Sequence, residues 1–194
     1  MGVKETNLTP GLLLAMPHLD DPSFHRAVVL MIEHGHEGSF GLVVNNPSRM
    51  ATSALLQSLD INWNGDHSSV VWSGGPVMPT SGWVLHEPTP ATPAVDLVDP
   101  ACATMSLAPG LHLSTSPENL RLIAVSPPQR VRVLLGYAGW GPGELASEMA
   151  QGSWLHADLS PQLIFDTPPE AMWERALSTI GIGPETLVPS RGIH

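Results

Sequence analysis

The segment GYAGWGPGEL, Gly136 to Leu145, gathers four glycines, a proline, a tryptophan and the chain's only tyrosine into ten residues. Glycine-rich turns that lead into a helix bring backbone N–H groups together and are a recurrent seat for phosphate. The spacing here is Gly-x-x-Gly-x-Gly-x-Gly. That matches neither the dinucleotide-binding pattern nor the phosphate loop, because no lysine or hydroxyl follows the last glycine. Glu144 would stand in the first turn of the next helix, where its charge suits the helix dipole and competes with an anion. The better reading is a structural corner, with glycines for backbone freedom and Tyr137 and Trp140 filling space. The functional alternative is a surface that binds a peptide or small molecule through Gly139 and Trp140.

Three further places carry polar or backbone groups suited to chemistry. In IEHGHEG, His34 and His36 can present two imidazoles from one strand face, and His18, His25 or Glu33 would have to complete a zinc site. A polar turn at a strand end explains the same residues, and with nine histidines in the chain two fall close together easily. In VVNNPS, Asn45 and Asn46 end an apolar run, where an amide closes a turn or orients a ligand. In SGGPV, the backbone N–H groups of Gly74 and Gly75 follow a strand and resemble half of an oxyanion hole. No Gly-x-Ser-x-Gly nucleophile accompanies them. Cys102, the single cysteine, would need a histidine such as His86 or His112 to become a thiolate, and reads as an inert small residue. No metal or cofactor is expected.

The elements that would hold these groups are mostly strands in the first half. GLLLAMP, RAVVLMIEH and FGLVVNN are apolar runs, and the Gly-containing turn between the last two predicts a hairpin. TSALLQSL predicts a short helix capped by Thr52 or Ser53. SSVVWSGGPV, GWVLHE and RVRVLLG predict strands, and the proline-rich PTPATPAVDLVDPA predicts a mobile loop. Helices are expected after Ser116, over PGELASEMAQG up to Gly152, and over TPPEAMWERALSTIG, where Thr167 and Glu170 would form a capping box. Regular β-α-β alternation is missing, so the fold class is a mixed, largely antiparallel α+β single domain.

Composition narrows the function classes. A net charge of −10, with one lysine against seven arginines scattered along the chain, disfavours generic nucleic-acid binding. One cysteine excludes an intramolecular disulfide and a thiolate cluster. The apolar run Leu12 to Pro17 is too short for a signal-peptide core and lacks a basic stretch before it, and nothing is long enough to span a bilayer. A cytoplasmic location and no membrane contact are therefore expected.

Four separated blocks, residues 11–47, 70–77, 82–87 and 135–154, together resemble the AlgH-like (YqgE-type) family of bacterial proteins over most of residues 11–180. The resemblance implies a single α+β domain with branched, partly barrel-like sheets flanked by helices. It implies no settled biochemical activity. Members have been associated with transcriptional control of exopolysaccharide genes, and commonly carry Gln at the position of Glu144. The reading that fits residues and resemblance best is a non-enzymatic binding or regulatory protein, linked to transcriptional control, whose partner is another protein. The binding candidates are His34, Asn45, Gly74, Gly75, Gly139 and Trp140. Two alternatives stay open: a hydrolase or metal-assisted enzyme using the His34/His36 region with the Gly74–Gly75 backbone, and a DNA-binding regulator. The oligomeric state cannot be read from the chain.

Overall fold

The computed structural model describes residues 8–92, 104–183 and 186–187. In chain order the elements are β1 (Gly11–Ala15), β2 (Val28–Gly35), β3 (Gly38–Val43), β4 (Pro47–Ala51), α1 (Thr52–Ser58), β5 (Val70–Ser73) and β6 (Val77–His86). After them come β7 (Thr104–Ala108), β8 (Leu111–Ser114), α2 (Pro117–Val125), β9 (Val131–Trp140), α3 (Glu144–Ala150), β10 (Trp154–Asp158), α4 (Pro161–Asp166) and α5 (Pro169–Thr179). The α+β class and the dominance of antiparallel pairing are as the sequence predicts; β5 with β9 is the one parallel pair among the described strands. These residues group into two compact units: those up to Asn45 with those from Ala138 onward, and those between Asn46 and Tyr137.

In the first unit the strands run β10-β1-β2-β3, and the last three residues of β9 close the row against β3. Every residue of β1 is buried, as are the first four of β2, because this part of the sheet is covered on both faces. That is why these stretches read as unbroken apolar runs. Leu13, Val29, Met31, Val43, Ala138 and Trp154 meet in one core cluster. The predicted β2–β3 hairpin is present, turning between Gly35 and Gly38. α5 buries Met172, Trp173, Ala176 and Leu177, and the Trp173 indole N–H donates to the Ala15 carbonyl at 2.9 Å.

In the second unit the order is β4-β5-β9-β6-β8-β7. A smaller core of Leu56, Ile61, Trp63 and Ala124 joins α1 and α2. Ser116 caps α2 by accepting the Asn119 N–H at 3.1 Å, with Pro117 in the first turn.

The structure corrects three local expectations. α1 starts on Ala51 without a side-chain cap, because Thr52 is already helical and buried. The Thr167–Glu170 capping box does not form: Thr167 ends α4, and Pro168 takes the cap position of α5 without a side-chain bond. The segment from Gly136 to Trp140 is strand, so the corner shrinks to residues 141–143. The proline-rich stretch from position 93 and Cys102 lie outside the described residues.

Candidate functional site

The glycine segment is closed by its own side chain. β9 runs through Gly139, which pairs with Phe40, and Trp140, which pairs with Ser39. The chain then turns at Gly141, Pro142 and Gly143, the last at φ +74°, and enters α3. The Glu144 carboxylate accepts the Gly141 N–H at 2.8 Å, and the Gly141 carbonyl accepts the Glu144 N–H at 3.1 Å. A carboxylate therefore already occupies the place an anion would seek. Trp140 is core rather than surface. It is 6% exposed, and its indole N–H donates to Glu148 at 2.9 Å. The same Glu148 oxygen accepts the Trp154 indole N–H at 2.6 Å, and Phe24 packs on both indoles. With the three ring centroids only 5.4–6.3 Å apart, the aromatic group is packed shut.

The other predicted groups also have internal partners. His34 Nδ1 lies 2.7 Å from the hydroxyl of buried Ser39 across the β2–β3 pair. Among the described residues no three His, Cys, Asp or Glu side chains come together as a metal site would need. Asn45 accepts the Val28 N–H and donates to the Arg26 carbonyl, both at 2.9 Å. It thereby holds Arg26 at φ +50°, from where the guanidinium reaches Glu174 at 3.3 Å and lies over Trp173. The Gly74 N–H donates to the Leu135 carbonyl at 2.7 Å, so it is not available to an oxyanion. The Gly75 carbonyl oxygen abuts the α-carbon of Gly136, where any side chain would collide.

One polar group escaped the sequence reading. His86, fully buried at the end of β6, has Nδ1 2.8 Å from the Glu87 carbonyl and Nε2 2.9 Å from Ser114 Oγ on β8. Ser114 Oγ lies 2.6 Å from Thr104 Oγ1 on β7, which accepts the Asn119 side-chain N–H from α2 at 3.0 Å. The His112 ring stands edge-on at 5.7 Å. Burial holds both imidazoles below the ordinary histidine value. A serine bonded to an oriented imidazole resembles part of a hydrolase, but Ser114 is 1% exposed and out of reach of a substrate. The partners lie 10 to 28 residues apart, a separation with no motif. Only the pairing of Val84 with Ser114 and of His86 with His112 brings them to one face.

What the second unit does offer to solvent is apolar. Met50, Leu59, Met78, Leu122 and Val125 are the exposed large hydrophobic residues among those described, and all lie between Asn46 and Tyr137. Leu122 and Val125 stand one turn apart on α2, 48% and 68% exposed. The Ala124 and Val125 carbonyls accept the backbone and side-chain N–H groups of Asn64, which ties the Leu59–Asn64 segment to the end of that helix. No described helix is long and apolar enough to cross a membrane.

The AlgH-like family model matches residues 12–185. The chain is 40% identical to a UPF0301 protein of Myxococcus xanthus, over 97% of this chain and 99% of that one. It is 36% identical to a UPF0301 protein of Delftia acidovorans, over 96% and 95%. The solution structure of the AlgH protein from Pseudomonas aeruginosa superposes over 100% of both chains with a TM-score of 0.73 and 32% identity. The crystal structure of a Corynebacterium diphtheriae protein, 23% identical over 87% of this chain and 85% of that one, shares the fold with a TM-score of 0.64.

Proposed function

The chain belongs to the AlgH-like family, and from that premise we propose that it is a non-enzymatic binding protein that docks a partner protein on residues of its second unit. The observation that carries this reading is the apolar surface around α2. Leu122 and Val125 flank Ala124, Leu59 follows Leu56, and both Ala124 and Leu56 sit in the same small core. Single exposed apolar residues are ordinary on protein surfaces, whereas contiguous apolar patches mark contact sites, and α2 brings two such residues together on one turn. Covering what remains exposed of these two side chains supplies about 1–2 kcal/mol each. A net charge of −10 suits a protein partner better than DNA. The hydrolase reading has no support from Gly74, whose N–H is engaged, or from His34, which faces Ser39. Transcriptional control would follow from the partner rather than from contact with a promoter.

The test is a paired substitution, Leu122→Asp with Val125→Asp. Both positions are exposed, so the melting transition should stay within a few degrees of wild type. Proteins captured from native lysate by the wild-type chain should be lost. Capture of the same proteins by the folded double variant would refute the assignment.

A further inference from the structure

The protons in the buried chain around His86 can be placed one by one. The Glu87 carbonyl only accepts, so His86 Nδ1 carries a proton and donates to it. In the neutral ring Nε2 is then bare, and the Ser114 hydroxyl donates to it. Ser114 Oγ in turn accepts the Thr104 hydroxyl proton, and Thr104 Oγ1 accepts from Asn119. Donation runs one way, from α2 through β7 and β8 to β6, and every step is satisfied. A second proton on His86 reverses this. Nε2–H must donate to Ser114, the Ser114 proton turns to Thr104, and the Thr104 proton loses its acceptor. Thr104 is 0% exposed and Ser114 1%, so neither finds water in place.

The one carboxylate near that charge, Glu87, favours the charged ring least among the influences on it and does not offset burial. On the Glu87 side, the carboxylate accepts the Arg130 N–H of the segment entering β9. β8 presents His112, a second cation in acid. β9 carries Arg132, whose guanidinium lies 3.8 Å from the centre of the Trp72 ring. β7 has no titratable side chain, and Glu118 and Arg121 of α2 are both exposed. We propose that the Asn119–Thr104–Ser114–His86 chain is an acid-sensitive latch: a second proton on His86 locally opens the corner built by β6, β7, β8 and α2. This is independent of what α2 binds. Burial favours the neutral ring and outweighs the opposing bond to the Glu87 carbonyl; the neighbouring His112 acts with burial, and the Glu87 carboxylate opposes it least. An opened corner takes up the proton near pH 6.5 and the closed one does not. Closure is therefore complete above about pH 6.5 and weakens below it, by up to about tenfold per pH unit for each histidine involved.

Amide hydrogen exchange of the full chain at pH 7.5 and 5.5, corrected for intrinsic rates, reads the latch directly. Amides of β8 and α2 should lose protection at pH 5.5, and the loss in wild type should exceed that in His86→Gln by about tenfold, since glutamine can make both bonds without a charge. Equal losses in the two proteins, or no loss in wild type, would overturn the proposal. Should His86→Gln not fold, the wild-type ring decides: nitrogen NMR should show His86 as the neutral Nδ1–H form at pH 6, and a doubly protonated ring there would overturn it.

Discussion

The carboxylate of Glu144 accepts the backbone N–H of Gly141 at 2.8 Å, across the turn from β9 into α3. This one contact decides how the most ligand-like segment of the chain behaves. The glycines bring N–H groups to a helix start, and the side chain that follows them fills the place. The segment is a self-closed bend on the end of a strand, and its aromatic residue, Trp140, belongs to the core beneath.

Replacing Glu144 by alanine should cost about 0.5–1.5 kcal/mol, the net worth of one hydrogen bond at an exposed site. Glu144→Gln should cost less than about 0.5 kcal/mol, because the amide oxygen accepts the same N–H. Urea denaturation distinguishes the two.

Gly136 and Gly143 share a left-handed backbone, at φ +75° and +74°, but not a neighbourhood. A methyl group at Gly143 meets nothing, whereas at Gly136 it runs into the Gly75 carbonyl. Gly143→Ala should therefore cost about 1–2 kcal/mol from backbone conformation alone. Gly136→Ala should cost at least about 2 kcal/mol more, or prevent folding. Equal losses in thermal melts would contradict this.

Glu148 holds two buried indoles through a single oxygen. Glu148→Ala strands both N–H groups and should destabilise the chain by about 2–6 kcal/mol, at about 1–3 kcal/mol for each orphaned donor. Near-ultraviolet circular dichroism should lose the fine structure of packed tryptophan. Glu148→Gln, which keeps an acceptor, should retain most of both.

Asn45 uses both ends of its amide, one on Val28 and one on Arg26. Asn45→Asp keeps the acceptor and turns the donor into a carboxylate oxygen facing a carbonyl, at a cost of about 1–3 kcal/mol. If Asn45 oriented a ligand instead, this substitution would abolish binding while leaving the denaturation midpoint unchanged.

Much of the fold was legible because burial on both faces leaves a plain mark: β1 and the first half of β2 read as unbroken apolar runs, and the glycine-bearing turn between β2 and β3 sits where the sequence puts it. The amphipathic face of α5 was legible for the same reason. Its cap was not, since Thr167 obeys the preceding helix, a tertiary fact invisible to a local rule. The end of β9 was missed because glycine density reads as loop, although Gly136 is there to let another backbone approach. Asn45 and Trp140 stood out by type, and it took their partners, Arg26 and Glu148, to give each a structural task. The latch around His86 left no mark, because four elements supply it and only the β6–β8–β7 register aligns them.

Site-specific photocrosslinking tests the docking surface most directly. A photoreactive residue at position 122 or 125, on the exposed turn of α2, should capture one discrete protein in living cells. The same group at position 175, an exposed site on α5 of the first unit, should not. Capture from position 175 with none from 122 and 125 would contradict the assignment of partner binding to the second unit.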